Sequence, residues 1–76
     1  MRIQQQFEAQ GVEMTRVEDD DRVELVADFG PGTDVAVDVV DETAIVVAGD
    51  EQYDIDVPED AQAFITNGVL TIEVNR

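Results

Sequence analysis

From Val12 onward, apolar and polar residues alternate with a period of two along much of the chain. In the segment "RVELVADF" (22–29), every second residue is apolar, and Glu24 and Asp28 fall on the opposite face. Successive side chains of a β-strand point to opposite faces, so this alternation predicts a strand with one buried face. Six further apolar-rich segments are also predicted to be short strands: 12–18, 35–40, 43–50, 52–59, 61–66 and 69–74.

Turn-forming residues separate these segments. The acidic run 18–21 and the stretch "GPGTD" (30–34) predict connections, and Asn67-Gly68 can adopt the positive φ of a tight turn. The segment 43–50 is apolar on both faces, which predicts a central or doubly covered strand. Seven short strands separated by turns predict an all-β fold, an antiparallel immunoglobulin-like β-sandwich.

The first eleven residues have a different pattern. Ile3 and Phe7 are four positions apart and Gly11 follows, which fits either a short helix that ends at the glycine or a frayed arm. A chain of 76 residues has room for one domain. We therefore expect a short N-terminal arm or helix over residues 1–11 and a β-sandwich domain over residues 12–76.

The charge balance is strongly acidic. Nineteen Asp and Glu residues face four arginines, and lysine is absent, so the formal net charge is −15. Such a charge destabilises a compact chain by self-repulsion, which molar salt screens by shortening the Debye length to about 3 Å. Acid excess without lysine resembles the composition of proteins from salt-accumulating haloarchaeal cells, so we interpret it as a halophilic adaptation. The alternative is an acidic surface that mimics nucleic acid or attracts a basic partner.

The same composition limits the classes of partner and location. Contacts with nucleic-acid phosphates need clustered Lys and Arg, so a nucleic-acid partner is not expected. No apolar run approaches the ~20 residues that span a bilayer, and the N-terminus lacks the apolar core of a signal peptide. The sequence therefore predicts a cytoplasmic protein without a membrane partner.

The chain offers few groups for catalysis. It contains no His, Cys, Ser, Lys or Trp, which excludes Ser-His and Cys-His nucleophile pairs, Schiff-base lysines and thiolate or imidazole metal ligands. Carboxylates remain, but with nineteen of them close pairs arise by chance. We therefore expect no enzyme activity, no catalytic residue and no cofactor.

Two groups of carboxylates are candidates for a cation site. Asp19, Asp20 and Asp21 are consecutive, and Asp54 and Asp56 share a strand face. Ca²⁺ and Mg²⁺ bind carboxylate oxygens, but the run lacks the spaced D-x-[DN]-x-[DN]-G pattern of a calcium loop. Solvated acidic turns explain these residues, and no metal site is expected.

The most specific motif lies in residues 61–74. Ala63 is followed, after three residues, by Asn67, Gly68, Val69 and Leu70, which resembles the A-x-x-x-N-G-V-L signature of the alpha-crystallin domain of small heat-shock proteins. Upstream, "RVELVADFGPG", "DVAVDVVDETAIVVAGD" and "YDIDVPEDA" are similar to strands of that family in the same order. The resemblance covers roughly residues 12–74 and implies a minimal alpha-crystallin-like β-sandwich of haloarchaeal type.

The resemblance implies a stress-response function, the ATP-independent holding of partly unfolded proteins on exposed apolar grooves. By resemblance, the groove lies between the strands at 35–40 and 61–66. Alternation by itself leaves open whether the apolar residues of these strands contact a client or are inward-facing core. The candidate residues for contacting a client or partner protein are Val35, Val37, Val39, Ala63 and Ile65.

The sequence also departs from that family. Only Asp50 and Glu51 join "VVAG" to "QYDID", where the family usually carries a longer segment that many members exchange between partners. The N-terminal arm is reduced to about eleven residues, and no Ile-x-Ile tail is expected beyond the last strand. We therefore expect a monomer or dimer rather than a large oligomer. The alternative function is an acidic, CS-type cochaperone-like adaptor without holdase activity.

Overall fold

The structure, a computed structural model, describes residues 2–75 of the chain. Within this range the chain forms one helix and seven strands. The helix lacks the length and apolarity needed to cross a membrane. The elements are α1 (Arg2–Ala9), β1 (Thr15–Glu18), β2 (Arg22–Asp28), β3 (Val35–Val40), β4 (Thr43–Ala48), β5 (Glu51–Asp56), β6 (Gln62–Thr66) and β7 (Val69–Asn75).

The strands form two antiparallel sheets, and the predicted β-sandwich of seven strands is confirmed. The four-stranded sheet has the order β1-β2-β7-β6 and the three-stranded sheet has the order β3-β4-β5. The smaller sheet is built from consecutive hairpins. In the larger sheet, β7 returns to lie between β2 and β6, with Ile72 opposite both Leu25 and Ala63.

One hydrophobic core lies between the sheets. Burial alternates along β2 and β7, so every second side chain of these strands enters the core. That is the arrangement expected from the alternating sequence. The buried strand residues include Val23, Leu25 and Ala27 of β2, Ala44 and Val46 of β4, Ile55 of β5, and Leu70, Ile72 and Val74 of β7.

Strand β4 occupies the centre of the three-stranded sheet, as its apolar sequence predicts. Its second apolar face is not covered by another layer, because Ile45 is half-buried and Val47 is 39% exposed. Apolar residues on both faces therefore mark a central strand here, and not a strand buried from both sides.

Helix α1 packs into the sandwich. Ile3 and Phe7, the two apolar residues spaced by one helical turn, are both buried in the core. The helix is followed by Gly11, whose positive φ of 85° turns the chain toward β1. Of the two alternatives for residues 1–11, the described part is a helix, and it belongs to the core of the domain.

Candidate protein-binding groove

Strands β3 and β6 are edge strands of different sheets, and they lie against each other. Within residues 2–75, β3 pairs only with β4 and β6 pairs only with β7. An edge strand presents backbone N–H and C=O groups that can pair with another chain. We call the line where these two strands meet the β3–β6 groove, formed by Val35–Val40 and Gln62–Thr66.

The five candidate contact residues all lie on these two strands and share one level of burial. Each is half-buried and packs against the buried core. On β3 they alternate with exposed residues, and on β6 they alternate with Gln62, Phe64 and Thr66. The groove therefore forms the open rim of the core. Its residues are Val35, Val37 and Val39 of β3 and Ala63 and Ile65 of β6.

The register explains why these side chains are apolar yet incompletely buried. Val37 lies opposite Val46, and Ile65 lies opposite Leu70, both of which are fully buried. Each groove residue thus continues a row of core side chains toward the edge of its sheet. A partner that lies along this edge would meet apolar side chains and unpaired backbone groups together.

The Asn67-Gly68 turn lies at the end of this groove, between β6 and β7. Both residues have positive φ, 52° for Asn67 and 74° for Gly68, as a tight hairpin turn requires. Gly68 is also buried, and its carbonyl accepts a 2.9 Å hydrogen bond from the Phe29 N–H. The next two residues lie on β7, where Val69 is half-buried and Leu70 is fully buried.

The described arginine side chains lie on β1 and β2, and neither strand pairs with β3 or β6. Arg22 is 3.3 Å from Glu73 and 3.9 Å from Asp19, and Arg16 is 3.0 Å from Glu18. The charge of Glu73 and its hydrogen bond raise the pKa of Arg22. The segment 23–75 contains no Lys, Arg or His. The groove is therefore apolar within an acidic surface, which disfavours acidic partners.

The two carboxylate groups lie in different parts of the fold. Asp19, Asp20 and Asp21 form the β1–β2 connection and line an open depression of about 590 Å³. The second group, Asp54 and Asp56, lies on β5, and both residues are exposed. Asp54 accepts a 3.0 Å hydrogen bond from the Gln52 side chain on the same strand. In the part of the chain that the structure describes, no three metal-ligating side chains converge on one point.

Two features of the structure lie outside the sequence predictions. Phe64 is 49% exposed on the outer face of β6, a position that its alternation with Ala63 and Ile65 already indicates. Gln6 of α1 reaches Asp56 of β5, fifty positions away, through two hydrogen bonds. No local pattern signals this second contact, because it depends on how the helix packs against the sheet.

The fold thus defines a small antiparallel β-sandwich with a helix packed against one of its sheets. By sequence, the chain belongs to a family of unknown function, DUF7127, which matches residues 1–74. The match includes α1 as well as all seven strands, so the helix is part of the family's domain. Neither a comparison with curated proteins nor a comparison with solved structures finds a match.

Proposed function

We propose that this protein is a small heat-shock-protein-like, protein-binding domain that holds partly unfolded clients without ATP in a high-salt cytoplasm. The observation that carries the proposal is the β3–β6 groove, where two edge strands meet and expose half-buried valine, alanine and isoleucine side chains. The alpha-crystallin resemblance assigns the client groove to the same two strands.

The physical basis is the combination of two kinds of contact. An unfolded segment can pair its backbone with a sheet edge while its apolar side chains pack on the rim of the core. Backbone pairing does not depend on side-chain identity, so it can bind segments of many different sequences, as a holdase requires. The acidic surface adds a preference for clients with basic residues beside the apolar ones.

A second candidate function is an adaptor that binds one partner. The size of the groove favours it, because the five apolar groove residues also pack against the core and offer only part of their surface. A rim of this size suits one short segment of a basic partner better than many different clients.

Suppression of client aggregation in molar KCl tests the holdase proposal. The wild-type chain, in several-fold molar excess, should suppress aggregation of a model client that is itself soluble when native in that salt. The variant V37T/V39T makes the groove more polar and should lose most of this activity, because hydroxyl groups replace apolar methyl groups there. Thermal melting checks that the variant is folded.

The matched control is V40T/V47T, which makes the same chemical change on the outer face of the same sheet, where Val40 and Val47 are exposed. This control should keep the wild-type activity. No suppression by the wild-type chain contradicts the holdase proposal. Affinity purification from the native host then tests the adaptor, which requires one dominant partner that V37T/V39T fails to retain.

A further inference from the structure

The outer face of the four-stranded sheet carries a row of uncharged side chains. Cross-strand pairing places Thr15 of β1 opposite Val26 of β2. Thr71 of β7 lies opposite Val26 on one side and opposite Phe64 of β6 on the other. We call these four residues the outer row. It crosses all four strands, about 14 Å at the usual strand spacing, and thus joins one edge of the sheet to the other.

The half of this face on β6 and β7 holds an apolar anchor. Phe64 is 49% exposed, and the other outward residues of β6, Gln62 and Thr66, are uncharged. On the outer face of β7, the carboxylate of Glu73 lies 3.3 Å from Arg22, so its charge is balanced within the sheet. A half-exposed aromatic ring in uncharged surroundings is typical of a contact site for another protein.

The half of this face on β1 and β2 is acidic. On β2, Val26 lies between Glu24 and Asp28, which stand two positions before and after it on the same face. An open depression of about 380 Å³ begins beside this strand. Its lining includes two residues of the outer row and three carboxylates: Thr15, Val26, Glu8, Glu13 and Asp28. Among the described residues, none of these three carboxylates forms an ion pair. The outer row therefore has an apolar end at Phe64 and an acidic end at the depression.

The outer face of the three-stranded sheet lacks this division. In one of its rows, Ile45 lies between Asp38 and Asp54, and the next row begins at Val40 and ends at Asp56. Apolar and acidic groups are therefore mixed on that face. Both faces are acidic, but the separation of an aromatic anchor from a group of carboxylates belongs to the outer row.

We propose that the outer row binds a segment of a different protein that carries an apolar anchor and, about 10–14 Å away, two or more Lys or Arg residues. The anchor packs on Phe64, and the cations enter the depression beside Thr15. Charge complementarity selects this partner, because the acidic end attracts cations and repels acidic segments and phosphate groups. This face lies on the opposite side of β6 from the β3–β6 groove, so binding here is independent of binding in that groove.

Salt separates this site from general attraction to an acidic molecule. Molar KCl shortens the Debye length to about 3 Å, so it removes most of the attraction between a cation and distant carboxylates. Burial of the anchor on Phe64 and direct contacts inside the depression are screened much less. One anchor and a few ion pairs form a small, transient contact, so we expect a Kd of about 10 μM to 1 mM.

Titration of the full chain with a synthetic peptide in molar KCl, followed by NMR of the backbone amides, tests the proposal. The probe peptide has two leucines and a tryptophan at one end and three lysines at the other. The control peptide contains the same residues in an interleaved order. The probe should bind about fivefold more tightly, because only the probe places its anchor and its cations at opposite ends of the row. The largest amide shifts should lie along the outer row.

Two variants test the two ends of the row separately. F64T should weaken binding of the probe by about tenfold, because a truncated aromatic anchor typically costs more than 1 kcal/mol. E8Q/E13Q removes two charges from the depression and keeps the size of both side chains. It should weaken binding by about fivefold, as expected for the loss of two exposed ion pairs.

The matched controls are V47T and D38N/D54N, which change an exposed valine and two exposed carboxylates on the outer face of the other sheet. Both should leave the affinity unchanged, and melting curves check that every variant is folded. Equal affinity for the two peptides, or equal losses in E8Q/E13Q and D38N/D54N, would reduce the binding to general attraction and overturn the proposal. It is also overturned if the largest shifts lie in the β3–β6 groove, or if the wild-type chain binds no probe at millimolar concentration.

Discussion

Gly68 has two separate reasons to be glycine. Its φ is 74°, which side chains with a Cβ atom rarely adopt. In addition, a Cβ atom at this position would overlap the carbonyl group of Gly30, because the loop after β2 passes directly over the turn. The Asn-Gly pair therefore forms the turn of the β6–β7 hairpin, and Gly68 also leaves room for the loop that follows β2.

Replacing Gly68 with alanine should destabilise the fold by about 2–5 kcal/mol, from the left-handed backbone and the overlap together. The matched control is G49A, because Gly49 has a φ of 60° but open space around its Cβ position. That variant should lose only about 1–2 kcal/mol. Urea unfolding in molar KCl measures both, and equal losses would contradict the role of the Gly30 contact.

At the scale of elements, α1 joins the sandwich through buried side chains and through one amide group. The ring of Phe7 is fully buried and lies 6.0 Å from that of Tyr53. The Gln6 side chain donates a 3.1 Å hydrogen bond to the Asp56 carbonyl, and its oxygen accepts a 2.9 Å bond from the Asp56 N–H. The amide thus pairs with edge strand β5 as the peptide group of another strand would.

Q6A should destabilise the protein by about 1–2 kcal/mol, because two hydrogen bonds to the backbone are lost. Q5A is the control, since Gln5 is exposed and the same gain in helix propensity applies to both variants. Hydrogen exchange supplies a second measurement, and the Asp56 amide should lose protection in Q6A alone. Identical stabilities for the two variants would mean that the amide contact contributes nothing.

At the scale of the whole molecule, the dominant property is the net negative charge. Among residues 2–75, Arg16 and Arg22 form ion pairs with neighbouring carboxylates, and both lie at or near the β1–β2 connection. With a formal net charge of −15, most carboxylates repel one another. The folded state brings these charges closer than the unfolded chain does, so screening by salt favours folding.

The melting temperature should therefore rise steeply with KCl, from low to molar concentration. The variant D38N/D50N/E59Q, which neutralises three exposed carboxylates, should be more stable than wild type in dilute salt and less sensitive to KCl. Thermal melts followed by circular dichroism measure both slopes. A flat profile for the wild-type chain would defeat the halophilic interpretation.

The local pattern of apolar and polar residues predicted much of the fold. The apolar residues of β2 and β7 enter the core as their alternation predicts, and the Asn67-Gly68 turn forms where expected. The pattern was less informative for β4, because its two apolar faces did not show whether a second layer covers the outer face of the strand. It could not rank the five groove residues as core or contact surface, because an edge position leaves them half-buried.

The sequence by itself determined the period-two strands, the turns between them, the class of fold and the acidic character of the surface. These properties depend on neighbouring residues and on composition. The tertiary structure decided which strands are adjacent: that β7 lies between β2 and β6, that β3 meets β6, and that α1 reaches β5. It also aligned Thr15, Val26, Thr71 and Phe64 in one row. Such contacts join distant parts of the chain, and only the packing of the sheets around one core selects them.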